Sequence, residues 1–211
     1  MKKFLLLSLI VMIGLSCGDG LIKKKVFRDD GTLQQLISMD KDSTLQGHSF
    51  TYYENGEDIF EKANYFNGEL SGVRELFYPD GNIEIRETYS ADVLVDTLFT
   101  FHANGNMKTK SYYDNGTLTG VATKYYESGS LNEEVTFEYD EENGPFKEYH
   151  ENGQLKWTGT YAEGDNEVGL LTEFNEEGEA IKKLMCDDRS ICKTIWTIEK
   201  GDIVDIHEDT N

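Results

Sequence analysis

Three sets of residues in this chain could do chemistry. The stretch Tyr149-His150-Glu151-Asn152-Gly153 brings an imidazole, a carboxylate and an amide together, and His102 offers a second imidazole. Such groups can pass a proton or ligate a metal. Cysteine is the second set, with 3 residues at Cys17, Cys186 and Cys192. The third is acid: 40 Asp and Glu stand against 20 Lys and Arg in 211 residues, for a formal net charge of −20. Carboxylates in this abundance are the raw material of a glycosidase-like pair or a calcium site.

The elements that position these residues repeat. From Gly153, glycine recurs in steps of 24 or 25 residues at Gly31, Gly56, Gly81, Gly105, Gly129 and Gly178. Four places before each stands an aromatic: Phe27, Tyr52, Phe77, Phe101, Tyr125, Tyr149 and Phe174. Two places after stands an apolar residue in most copies, among them Leu33, Ile83, Leu131 and Leu155. A second glycine precedes the first by nine at Gly47, Gly72, Gly120, Gly144 and Gly169, and Asp96 breaks that series. The period makes the histidines members of a row, three places before each glycine, which reads Arg28, Tyr53, Tyr78, His102, Tyr126, His150 and Asn175. A catalytic histidine would not be replaced by tyrosine in neighbouring copies. "ENG" and its equivalents "DDG", "PDG", "ANG", "ESG" and "EEG" fit a type I turn closed by a left-handed glycine, the three-residue hairpin loop. His102 and His150 lie two repeats apart, or four strands at about 4.8 Å each, roughly 19 Å. Zinc holds its ligands at about 2 Å, so no metal site is expected.

Between the turns, apolar and polar residues alternate with period two, as in Leu131, Glu133, Val135 and Phe137 against Asn132, Glu134 and Thr136. The spacing predicts an all-β fold: an elongated antiparallel meander of about seven hairpin repeats of 24–25 residues, a single-sheet rod or trough. The aromatics four places before each turn are expected in the core, facing the aliphatics across the hairpin, Tyr125 opposite Leu131 and Tyr149 opposite Leu155. The row containing Tyr53, Tyr78, His102, Tyr126 and His150 is expected to point outward, as a candidate binding surface for a protein or a glycan.

The catalytic readings fail. A catalytic carboxylate pair in a repeat should depart from the consensus, and no pair is singled out on that ground. There is no nucleophile elbow, phosphate loop or zinc motif. The acidic turns "EYDEENG" and "YAEGDNEVG" lack the spaced ligands of an EF-hand loop. We therefore expect no enzyme, no cofactor and no metal. The acid excess would repel nucleic acid and anionic headgroups.

The N-terminus has the anatomy of an export signal: Lys2 and Lys3, then the apolar run Phe4 to Leu15, too short to span a bilayer comfortably, then Ser16-Cys17. It resembles a bacterial lipoprotein signal, which implies cleavage before Cys17 and acylation of that cysteine. Loss of Lys2 and Lys3 would take the formal charge from −20 to −22. The expected organisation is a signal peptide at 1–16, a short tether at 17–25, the repeat domain at 26–185, and a C-terminal cap and tail at 186–211. Cys186 falls on the inward position held by Tyr89, Phe137 and Tyr161 in other repeats, with Cys192 across a turn. In an exported protein the two are expected to form a disulfide.

"YFNGELSGVRELFYPDG", Tyr65 to Gly81, and "YYDNGTLTGVATKYYESG", Tyr112 to Gly129, resemble the MORN repeat, more closely the variant of bacterial YwqK-type proteins. The resemblance covers about residues 26–185. It implies this fold, and roles that range over membrane tethers, scaffolds and antitoxins. Gly72 is followed by Val73 and Arg74, without the close second glycine of the eukaryotic pattern, so lipid binding is not carried over. The expected function is a non-enzymatic, lipid-anchored binding or scaffold protein of the bacterial envelope, touching the membrane through its anchor only. The alternative is an immunity or antitoxin protein that neutralises a basic toxin.

Overall fold

The computed structural model describes residues 12–15 and 20–203. The chain divides into two compact units, one up to Gly105 and one from Asn106. In the first unit lie β1 (Met12–Leu15), β2 (Ile22–Phe27), β3 (Leu33–Met39), β4 (Gly47–Tyr52), β5 (Ile59–Phe66), β6 (Glu69–Leu70), β7 (Gly72–Phe77), β8 (Ile83–Ser90) and β9 (Val93–Phe101). In the second lie β10 (Met107–Asp114), β11 (Thr117–Tyr125), β12 (Leu131–Glu138), β13 (Glu141–Tyr149), β14 (Leu155–Ala162), β15 (Asn166–Phe174), β16 (Ala180–Cys186), β17 (Cys192–Thr197) and β18 (Gly201–Asp202). Within each unit every strand pairs antiparallel with the next, with β6 and β7 sharing β5, so both units are hairpin meanders. No helix among the described residues is long and apolar enough to cross a membrane. Cys17 lies outside the described residues. Strand β1 falls within the expected leader and pairs with β2, Met12 opposite Lys25 and Leu15 opposite Ile22.

The repeated glycine makes the expected turn. In all seven copies its N–H donates to the carbonyl three residues back, as from Gly153 to His150 at 2.9 Å, and its φ lies in the left-handed region. The Asp or Asn before it helps to lock the loop. Asp30 and Asn152 each accept, through Oδ1, the N–H two residues on at 2.9 Å. At the other end of four repeats sits a two-residue loop with positive φ at both positions: Asn67-Gly68, Ala91-Asp92, Asn115-Gly116 and Tyr139-Asp140. This is the type I′ hairpin turn, for which Asn-Gly is the ordinary solution. Asp replaces Gly at two of them because its carboxylate has a bond to make. Asp92 accepts the Leu70 N–H and Asp140 the Leu118 N–H, both at 2.7 Å, tying each loop to the hairpin before it.

The second glycine of each repeat lies where the pairing skips two residues. Between β8 and β9, Arg86 opposes Phe99 but Thr88 opposes Val95, and Asp96 falls in the gap. Asp96 does not break the series in conformation: its φ is 63°, in the region its glycine counterparts occupy.

The expected core needs correction. None of the aromatics four places before the turn is buried; the buried cluster of the second unit is Val135, Phe146, Leu171 and Cys186. Tyr125 does oppose Leu131 and Tyr149 does oppose Leu155. A bulge beside each pair upsets the alternation, however, and the Tyr149 hydroxyl reaches Glu134 at 2.7 Å. Glu134 neighbours Val135 and so lies on the opposite face of the pleat. The core forms one layer further along, where Val135 opposes Phe146, Phe146 opposes Gly159, and Leu171 opposes Leu184. Gly159 is glycine for a packing reason. The Phe146 ring lies over its Cα, 4.3 Å from the Tyr161 ring by centroids and nearly parallel to it.

In the first unit the same layer is ionic. Arg74, seven places before its turn glycine as Phe146 is before its own, bonds Glu61 at 2.6 Å and Glu87 at 2.8 Å. Burial works against the charge of Arg74, but the two carboxylates outweigh it and raise its pKa. Glu75 takes Arg86 at 2.9 Å and Lys62 at 3.7 Å.

Candidate functional site

The row expected to bind a partner first of all binds its neighbours. Arg28 Nη2 donates to the Tyr52 carbonyl at 2.6 Å, the Tyr53 hydroxyl to the Phe77 carbonyl, and Tyr78 to the Phe101 carbonyl at 2.8 Å. Tyr126 donates to the Tyr149 carbonyl at 2.7 Å, and His150 Nε2 lies 2.9 Å from the Phe174 carbonyl. In each case the acceptor belongs to the aromatic four places before the next turn. His102 holds the equivalent position in the row. Turn amides add a second link, from Asn152 to the Glu176 carbonyl at 2.8 Å and from Asn106 to that of Glu127 at 2.9 Å. The polar ends of these side chains stitch hairpin to hairpin, which explains why Tyr, His and Arg interchange: each can donate.

Cys186 and Cys192 face one another across β16 and β17 and are joined as a disulfide at the end of the second meander. The Glu167 carboxylate lies 3.6 Å from the Cys192 sulfur. Among the described residues this trio is the one group of three or more His, Cys, Asp or Glu side chains close enough to share an ion. In the disulfide neither sulfur is a thiolate, and the thiolate is the form that ligates a metal.

One set of residues went unrecognised in the sequence, although the repeat carries its signal. Eleven places before the turn glycine the chain has Leu45, Leu70, Leu94 and Leu118, and then Glu142 and Glu167. The position stands across from the aromatic layer: Tyr65 opposes Leu70, Tyr89 opposes Leu94, Tyr113 opposes Leu118, Phe137 opposes Glu142 and Tyr161 opposes Glu167. A carboxylate pair does depart from the consensus, then, contrary to expectation. Both glutamates are half-buried, and neither has a cationic partner among the described residues. Burial, with Glu133 and Asp165 behind it, pushes the Glu142 carboxyl up. Burial, then Glu142 and Glu167, pushes the Tyr161 phenol up to about 12. Beside Glu142 lies a shallow depression lined by Ala122, Glu133, Val135 and Phe137.

This geometry offers rings and uncompensated carboxylates on a sheet face, and chemically that is a surface for recognition. The MORN repeat variant matches residues 70–91, 97–115, 118–139 and 142–163. Each match covers most of one period of the hairpin array, so the match and the strand pattern agree on a repeat-based protein over these residues. No curated protein matches the chain.

Proposed function

We propose that this protein is a lipid-anchored β-repeat module that holds a protein partner at the bacterial envelope. The observation that carries the reading is the division of labour in the repeat. Within each unit, hairpins are stitched to their neighbours through their turns, which leaves side chains on the sheet faces for other contacts. The leader supports the anchor: two lysines, an apolar run and Ser16-Cys17. Strand β2 supports it too, because Lys23, Lys24 and Lys25 are the residues expected of an exposed edge, and removal of β1 with the leader would make β2 one. A formal charge of −20 favours a basic partner, and neutralisation of a basic toxin is the narrower form of the same reading.

Metabolic labelling with a fatty-acid analogue tests the anchor. Cys17→Ala should abolish the label and release the protein from the membrane fraction. A variant that remains labelled and membrane-bound would remove the lipoprotein reading.

A further inference from the structure

We propose that the sheet face of the second unit bearing Phe146 and Tyr161 docks a basic protein segment, and that an arginine of that segment seats between Glu142 and Glu167 over the Tyr161 ring. The inference rests on the binding-module reading above and gives it a surface and a partner chemistry.

Four repeats place leucine here, three of them opposite a tyrosine and Leu45 opposite Met39, and a leucine against an aromatic is the stabilising choice for a half-buried strand pair. The last two full repeats give it up in succession for glutamate. The cost is visible in the raised pKa of Glu142 and in the carboxylates crowded around the Tyr161 phenol. A solvated acidic turn would explain neither the half-burial nor the position, since these carboxylates project from strands among rings.

The first unit supplies the missing half of the arrangement. Glu61 on β5 and Glu87 on β8 flank β7, and the guanidinium of Arg74 on β7 bridges them at 2.6 and 2.8 Å. Glu142 on β13 and Glu167 on β15 flank β14 in the same way, two inter-strand spacings of about 4.8 Å apart. The intervening strand carries Tyr161 instead of a cation, and Phe146 stands at the repeat position of Arg74. Among the described residues of the second unit, the strands in close contact are neighbours in the meander, and no second layer of strands packs on this face. No described cation bridges the two glutamates, so in the proposed complex the bridging cation comes from another molecule, and the net charge of −20 makes a second copy of the chain a poor source. Arginine suits the site better than lysine. Its planar guanidinium can stack on the Tyr161 ring while its fork reaches two carboxylates, and its methylene stem can follow the depression beside Phe137.

The test uses the mature protein and three probes: a 12-residue Gly/Ser peptide bearing two arginines, its lysine counterpart, and calcium chloride. Binding is followed by calorimetry and by the NMR shifts of the Tyr161 ring. Glu142→Leu with Glu167→Leu restores the repeat consensus and should weaken the arginine peptide at least tenfold without lowering stability. Glu142→Gln with Glu167→Gln should weaken it similarly, and serves if the leucine variant fails to fold. Glu176→Gln with Glu177→Gln removes the same charge at an exposed turn and should change binding less than twofold. The lysine peptide should bind several-fold more weakly. Equal weakening by the strand and turn variants would reduce the effect to net charge and overturn the proposal, as would calcium binding that the leucine variant abolishes while peptide binding survives. Crosslinking in envelope extract separates the two levels of argument. Capture of the same partner by wild type and the leucine variant would sink this site and leave the module reading standing; no capture by wild type would sink the module reading.

Discussion

Gly159 gives the sharpest test of the packing described above. No other copy has glycine at its position, and Ile37, Val135 and Leu184 are among its repeat equivalents, so a consensus argument would replace it with a larger residue and expect a gain. Strand propensity points the same way, since glycine inside a strand costs about 0.5–1 kcal/mol relative to alanine. The structure points the other way. A Cβ on Gly159 would sit 2.5 Å from Phe146 Cε1, 2.7 Å from its Cζ and 3.0 Å from Leu171 Cγ. Ordinary carbon contacts begin near 3.5 Å, so the Phe146 ring must retreat by about 1 Å. It has little room, because Phe146 is 3% exposed, Leu171 is 2% exposed and Tyr161 stacks on the ring. Overpacking of this kind costs about 1–3 kcal/mol. Set against the propensity gain, Gly159→Ala should destabilise the second unit by about 1–2 kcal/mol. Urea unfolding followed by tryptophan fluorescence is the assay, because the 2 tryptophans, Trp157 and Trp196, both lie in that unit. Phe146→Leu should cost stability alone, yet in the Gly159→Ala background it should recover about 1 kcal/mol, a coupling that a double-mutant cycle isolates. A stabilised Gly159→Ala, or strict additivity of the two changes, would refute the claim that the ring dictates the glycine.

Other expectations concern positions where the repeat bends its own rules. Asp96→Gly should stabilise the first unit by about 0.5–1 kcal/mol in urea unfolding, since Asp96 holds a φ of 63° that glycine adopts freely. Tyr126→Phe removes the donor to the Tyr149 carbonyl and should cost about 1 kcal/mol by the same assay, although a purely decorative tyrosine would tolerate it. The Glu142 carboxyl is pushed up by burial, so folding favours its protonated form. Its contribution is fully favourable below the ordinary glutamate range and is lost as pH rises through the native value. Glu142→Gln should therefore be more stable than wild type at pH 7, with the gap closing on acidification through the mid-4s in a pH series of melting curves.

Much of this architecture is legible in the residues. Turn chemistry is local: glycine with Asp or Asn before it specifies the three-residue loop from within five residues, and Asn67-Gly68 and Asn115-Gly116 announce the opposite loops equally well. Ala91-Asp92 and Tyr139-Asp140 carry no such signal, because there the left-handed residue is justified by a bond to a leucine N–H in the preceding hairpin, 22 residues back. The sheet faces misled for a related reason. Alternation through Tyr125 and Tyr149 holds only for regular strands, and the bulges that adjoin each turn reset it. Bulges are set by pairing between strands and leave little trace in either strand alone. Glu142 and Glu167 were legible in principle. They emerge once the repeat is aligned at the leucine position instead of at the turn, where acid is ordinary and tells nothing.

The joints between hairpins also bear on how such a chain can change over generations. Every residue owns a carbonyl whatever its side chain, so the acceptor half of each link is blind to mutation, and the donor half is met by Arg28, Tyr78 or His150 alike. Duplication or deletion of one 24-residue segment between equivalent points would bring the same donor to the same acceptor and leave no polar group stranded. Copy number is then free to vary by recombination, and a fresh copy can drift at its strand positions while its turns keep it attached. A pair of glutamates in two adjacent copies, beside four that retain leucine, is the kind of divergence that such freedom permits.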